Sequence, residues 1–269
     1  MDYYRGCYIK QGFVPTNEQK MRHLNWFEGF PYYGVLLGWY KFNEGSGLIA
    51  HNYAPDGSLG GGAFPDLDVI NGSGDFWTAL TGFGSVQLAT TLSFARKQLS
   101  APITFNGSLY SCVGGFFRRK LDPTIGGDLL EIHVDDGGGS GFGIVVEGNE
   151  SIFRFGGAAY GGISNYEFEN QKWYFYFLTN PGYGYIVKPD GTLKITTGYP
   201  ANNNTPYDIN YLHVGVRYTN NMSDTGYYGV QGSFGDIIIY NFISLTLNEW
   251  ARWYDMLRSR YNMAARSGW

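Results

Sequence analysis

The sequence predicts an all-β protein, a two-sheet sandwich closed by one helix near its end, and three observations carry that prediction. Glycine is abundant, at 40 of 269 residues, about twice its usual share, and aromatics reach 18%. Glycine supplies the positive φ that tight turns need, and aromatics pack well on pleated surfaces, so many short strands joined by turns satisfy both facts. From Val35 onward, short apolar or alternating runs recur, each bounded by Gly, Pro, Asn or Asp. Finally, the hydrophobic spacing turns helical only near Thr246.

The strands follow in order. VLLGWYKF is an apolar run ending at Asn43, and GFGSVQLATTLSF, LYSCVGGFF and DLLEIHVDD come after it. GFGIVVEG and SIFRFGG read as a hairpin across Glu147 to Glu150. In KWYFYFL, Trp173, Phe175 and Phe177 alternate with Tyr174 and Tyr176, which makes one face core and the other amphipathic. YGYIVKPDGTLKITT is the clearest hairpin, because Pro189, Asp190 and Gly191 each bring turn chemistry between two β-prone runs. YLHVGVR and SFGDIIIYN complete a set of roughly ten to twelve strands. The last segment, TLNEWARWYDMLRSRYNMAA, spaces Leu247, Trp250, Tyr254, Leu257 and Tyr261 helically and predicts a helix over 246–265. Thr246 with Glu249 forms a capping box, and Arg258 and Arg260 suit a helix C-terminus.

Residues 1–34 have no sustained alternation, and their aromatics are scattered among polar residues. They read either as an irregular segment lying across the domain or as an arm that docks onto another subunit. Residues 35–269 form the domain proper. A net charge of −4 with 16% charged residues argues against a nucleic-acid or anionic-membrane surface, which needs clustered basic charge. The triplet Arg118-Arg119-Lys120 reads as a solvated strand end. No run of about 18 apolar residues predicts a membrane-spanning helix, and residues 1–30 hold no apolar core of a secretory signal. Cys7 and Cys112 are too few for a disulfide framework and are expected to be free thiols, Cys112 buried.

Taken in sequence, these motifs resemble the concanavalin A-like lectin/glucanase superfamily, in its laminin-G-like or pentraxin-like jelly-roll branch. The resemblance runs from Val35 to Tyr261. It is carried by FNEGSG (Phe42 to Gly47), NYAPDGSLG (Asn52 to Gly60), KWYFYF, YIVKPDG, YLHVGVR and the closing GSFGDIIIYNFISLTLNEW with Asp236, Tyr240 and Glu249. The ending RSRYNM is also similar to jelly-roll domains of tailed-phage particle proteins. The resemblance implies an antiparallel two-sheet jelly-roll sandwich with one C-terminal α-helix. In such a fold, the glycine-rich stretch 43–62 is the corner where the first strand leaves its sheet.

The same resemblance brings Glu44, Asp56 and Asp236 towards one edge as a candidate calcium site, although Asn52 stands where an acidic residue is frequent. Some relatives are glycoside hydrolases with paired acids on one strand. The nearest match, EIHVD from Glu131 to Asp135, has His133 in place of the central acid and does not preserve the pair, so the chain is not expected to be an enzyme. DDGGGSGFG lacks the Gly-Lys-Ser/Thr ending of a phosphate loop. Sugar binding would draw on aromatic faces and nearby amides in three loops: Trp77 in NGSGDFW, Tyr199, Asn203 and Tyr207 in GYPANNNTPYD, and Tyr227 in YTNNMSDTGYY.

The function expected is a non-enzymatic virion structural or adhesion protein, such as a capsid decoration, tail or fibre component. Its partners would be other virion proteins or itself as a homo-oligomer, with no nucleic acid and no membrane insertion. Aromatic-rich, charge-poor surfaces suit such interfaces. A carbohydrate-binding lectin that recognises cell-surface glycan is the alternative, and a degenerate glycoside hydrolase the third reading. The expected location is a virion surface after cytoplasmic synthesis, or the exterior of the cell after non-standard export.

Overall fold

The computed structural model describes residues 36–54, 64–70, 77–80, 83–88, 94–105, 111–119, 132–135, 142–147, 150–155, 160–165, 169, 171–179, 183–195, 207–214, 216–217, 227–229, 232–241, 243 and 245–269. The 1–34 arm lies outside them, as do Cys7 and Glu131.

The expected antiparallel sandwich is present. Its larger, eight-stranded sheet places β14 (Leu193–Ile195), β13 (Tyr183–Val187), β12 (Trp173–Thr179), β7 (Ser111–Arg119), β18 (Gly232–Asn241), β5 (Phe83–Leu88) and β4 (Trp77–Leu80) side by side. The eighth strand, β1 (Leu36–Tyr40), also pairs with β18. The second sheet orders β2 (Ile49–Ala50), β3 (Leu67–Ile70), β6 (Phe94–Phe105), β15 (Tyr207–Val214) and β8 (Ile132–Asp135). A three-stranded sheet of β9 (Phe142–Glu147), β10 (Glu150–Phe155) and β11 (Tyr160–Asn165) and a pair, β16 (Val216–Arg217) with β17 (Tyr227–Gly229), complete the described strands. The hairpin expected at 147–150 forms, with Glu147 opposite Glu150.

The eight-stranded sheet is buried on both faces where β12, β7 and β18 cross it, which corrects the expectation of an amphipathic face on β12. Phe175 and Phe177 meet the helix α1 (Leu247–Leu257), with ring centroids 5.7 Å from Tyr254 and 5.3 Å from Trp250 respectively. On the opposite face Tyr174 and Tyr176 are fully buried beside Phe117, at 5.6 and 5.8 Å. Alternation alone does not distinguish a solvated tyrosine row from a second core, because tyrosine serves in both. Glycine makes the helix contact possible. A Cβ at Gly114 would strike the Trp250 ring, so the indole lies directly on the β7 backbone.

The capping box of α1 is formed. Glu249 N–H donates to Thr246 Oγ1 at 3.4 Å and Thr246 N–H to Glu249 Oε2 at 2.7 Å. The α-helix stops at Leu257, short of the expected 265, and a 3-10 turn carries Arg258–Tyr261. A competing set of contacts explains the stop. Asp236 sits where the β18–β7 register shifts, between Phe234 and Ile237, and a bulge of this kind leaves a backbone amide without a strand partner. The Tyr261 hydroxyl accepts that amide at 2.6 Å and donates to Asp236 Oδ2 at 2.5 Å. Turning Tyr261 inward ends the α-helix. Arg260 thereby leaves the helix terminus foreseen for it and pairs with Asp236 at 3.3 Å. Beyond Asn262, whose φ is +53°, the tail runs along the β13–β14 turn. Ala264 N–H donates to Pro189 O, and Ser267 N–H and Trp269 Nε1 to Gly191 O, each at 3.0 Å.

Candidate functional site

The glycine-rich corner that follows β1 is a structural device. Gly45 and Gly47 adopt φ of +72° and +93°, and Glu44 Oε1 accepts the His51 amide at 2.8 Å. Asn52 holds the corner together with its whole amide. Its Oδ1 accepts from Trp39 N–H and Ala54 N–H, both at 2.9 Å, and its Nδ2 donates to Leu37 O at 2.9 Å and Phe64 O at 2.6 Å. Burial pushes the Glu44 carboxyl up to about 7, against the hydrogen bonds from the His51 and Glu44 amides.

Calcium does not fit the described residues here. Both oxygens of Asp236 face donors: Trp39 Nε1 reaches Oδ1 at 2.6 Å, Tyr261 reaches Oδ2, and Arg260 approaches both. Donor hydrogens occupy the lone pairs a cation would need, and calcium takes six to eight oxygen ligands. Glu44 Oε1 accepts the His51 amide instead, and Asp56 lies outside the described residues. Among the described residues no three His, Cys, Asp or Glu side chains group to hold a metal ion. Asn52, where the resemblance favours an acid, donates to two carbonyls, which a carboxylate does not do.

Three of the residues expected to bind sugar lie among the described strands. Trp77 is the first residue of β4, Tyr207 the first of β15 and Tyr227 the first of β17, which places them on three different sheets and in strands instead of loops. Tyr199 and Asn203 lie outside the described residues.

Four distant segments do converge on one cleft of about 600 Å³, within the size range of small-molecule sites. The end of β7 supplies Arg118, directly opposite Trp173 at the start of β12. The β13–β14 turn brings Lys188, Pro189 and Asp190, and the reversal after α1 brings Tyr261, Asn262 and Met263. Glu169, Gln171 and Lys172 close the rim.

The half-buried Trp173 lies 4.6 Å from Tyr261, and the Arg118 guanidinium lies 5.6 Å from its ring centroid. Arg118 Nη2 donates to Ser233 Oγ at 3.4 Å. Partial burial lowers the Arg118 pKa, since desolvation disfavours the charged form. Asp190 accepts from the Thr192 amide at 3.0 Å and the Thr192 hydroxyl at 2.7 Å, and these bonds hold its carboxyl below the usual range. Only three described non-glycine residues have positive φ, and two of them, Gln171 at +62° and Asn262 at +53°, line this cleft. Asn262 takes this conformation as the cap of the 3-10 turn, a place where asparagine commonly adopts it. The arrangement offers an aromatic face, two amides, three cations and two carboxylates, the polar repertoire that grips hydroxylated rings.

No family model matches the chain, and no curated protein matches it either. Solved structures do. The sialidase of Trypanosoma rangeli in complex with sialic acid superposes with a TM-score of 0.56 at 13% identity, covering 86% of this chain and 34% of that one. The ligand-binding domain of botulinum neurotoxin serotype D in complex with N-acetylneuraminic acid gives 0.53 at 16% identity, over 83% of this chain and 51% of that one. The serotype G binding domain gives 0.50 at the same identity and coverage. The chain thus spans about a third of the sialidase's length and half of each toxin domain's. At such identities the likeness shows the fold: a lectin-like β-sandwich. It also corrects the expectation that the chain is not an enzyme, because sialidases are among the structures that share this architecture. The missing acid pair at Glu131 and Asp135 tested one branch's strand motif, and that motif does not speak for every catalytic chain with the fold.

Proposed function

We propose that this chain is a carbohydrate-binding module and that the Trp173 cleft is its sugar site. The observation that carries the reading is the convergence of four sequence-distant segments on a half-buried tryptophan ringed by amide and charged side chains. A sugar ring stacks its C–H face on an indole while its hydroxyls bond to neighbouring polar groups. The fold supports the reading, since it is shared with a sialidase in complex with sialic acid and a toxin domain in complex with N-acetylneuraminic acid.

Calorimetric titration of the full chain against an oligosaccharide panel tests it. Saturable binding that Trp173→Ala abolishes, with the melting transition retained, is the expected result. Binding that survives Trp173→Ala and vanishes in Trp77→Ala or Tyr207→Ala would move the site to the residues that the sequence suggested.

A second reading makes the same module a structural part of a virus particle, of the tailed-phage kind. It is favoured by 18% aromatic against 16% charged residues, a balance suited to protein interfaces. Sedimentation of the full chain and of a chain lacking residues 1–34 tests it. The reading requires an oligomer, or attachment to purified particles, that the arm is needed to form.

A further inference from the structure

The cleft has a polarity that neutral sugar binding does not require. Its lining carries Arg118, Lys172 and Lys188 against Glu169 and Asp190, an excess of one cation. Asp190 is engaged by Thr192 within its own turn, and the hydrogen bond from the Glu169 backbone to the Tyr174 hydroxyl at 2.7 Å fixes that rim segment.

Arg118 is half-buried in the lining. Among the described residues its polar contacts are the long bond to the neutral Ser233 hydroxyl and the face of Trp173, with no carboxylate beside it. A partly desolvated guanidinium without a counter-charge is costly, and a planar fork of N–H donors matches a carboxylate in two parallel bonds. The indole beside it is half-buried and keeps part of its surface open to the cleft. We propose that the cleft selects acidic saccharides, with Arg118 receiving the sugar carboxylate while the ring rests against Trp173. Lys172 and Lys188 at the rim add attraction at longer range, screened by salt. This rests on the carbohydrate-binding reading above.

The experiment titrates the full chain with paired probes that differ in a carboxylate: sialyllactose against lactose, and digalacturonate against galactobiose. At least one acidic member is expected to bind about tenfold or more tighter than its neutral partner, the value of a charge-assisted pair. That preference should shrink as salt rises, a readout made on the unaltered protein and so independent of how any variant folds. Arg118→Gln should remove the preference for the acidic member of each pair, while Arg118→Lys keeps part of it. Equal affinity within both pairs would overturn this inference and leave the carbohydrate reading standing. Binding to none of the four would overturn both. A preference that persists in a folded Arg118→Gln variant would refute the assignment to Arg118.

Discussion

At position 52 an amide is used from both ends, and this single residue decides what the first corner is. Its oxygen takes two backbone N–H groups and its nitrogen serves two backbone carbonyls, all away from solvent. Asn52→Asp keeps the acceptor, removes both donors and sets a buried charge against Leu37 O and Phe64 O. Loss of about 3 kcal/mol is expected in chemical denaturation, and calcium should not restore it. Rescue by calcium would revive a metal site there. Glu44 next to it makes a pH prediction. Its folded pKa of about 7 stands above the ordinary 4.5, so the folded state holds the proton more tightly than the unfolded chain. Stability from this group is therefore complete below the unfolded value and lost as pH rises towards 7, by up to about 3 kcal/mol. His51 and Asp66, joined at 2.8 Å, are the titratable neighbours, and comparison with Glu44→Gln separates their effect, since only that change should flatten the decline. The sequence shows Asn52 as a departure from an acidic pattern. It does not show the two carbonyls that require the departure, because Leu37 and Phe64 are distant from it in the chain.

The elements themselves were largely legible, because strands, hairpin and helix start are set by short-range pattern. Pro189-Asp190-Gly191 makes its turn with Gly191 at φ +83°, and Thr246 with Glu249 caps α1 as their spacing implies. The end of α1 was not legible. Helical spacing continues through Tyr261, but the hydroxyl of that residue satisfies a bulged amide in β18, and no local signal reports a tertiary partner. The second buried face of β12 escaped notice for a similar reason: what covers it is a matter of layers. The helix contact gives the element-scale prediction. Gly114 and Gly235 leave room for the Trp250 and Tyr261 rings, so α1 sits closer to the sheet than any side chain would allow. Gly114→Val should cost about 1–3 kcal/mol by overpacking and displace Trp250. Near-ultraviolet circular dichroism of the tryptophan bands would record the displacement. An unchanged spectrum and melting point would mean that the helix docks elsewhere.

Across the whole molecule, the cleft exists because the chain's last segment is stitched to a turn some 75 residues earlier. Arg118, Trp173, the 188–190 turn and Asn262 share no sequence window, and each has an ordinary local explanation: a strand end, a strand start, a hairpin, a residue after a helix. That is why sequence reasoning turned to loops dense in Asn and Tyr instead. The stitch is specific. Ala264 donates to Pro189 O, Ser267 and Trp269 to Gly191 O, and the Trp269 ring lies 5.1 Å from Tyr254 and 5.9 Å from Phe177. Removing residues 264–269 deletes the three hydrogen bonds to the turn, each worth about 1 kcal/mol net, the bonds from the Tyr254 hydroxyl to Ala264 O and from Arg266 to Asp255, and the indole packing. It leaves α1, with its buried Trp250, Trp253 and Leu257, on the sheet. The sandwich should therefore still fold, with a lower melting temperature. Amide exchange at Gly191, whose N–H is bonded only within the turn to Lys188 O, should accelerate as the turn loosens. Lys188 and Asp190 then leave their places in the cleft, and oligosaccharide affinity falls with them. Slow exchange at Gly191 and full affinity in the shortened chain would show that the turn holds its own shape and that the tail takes no part in building the site.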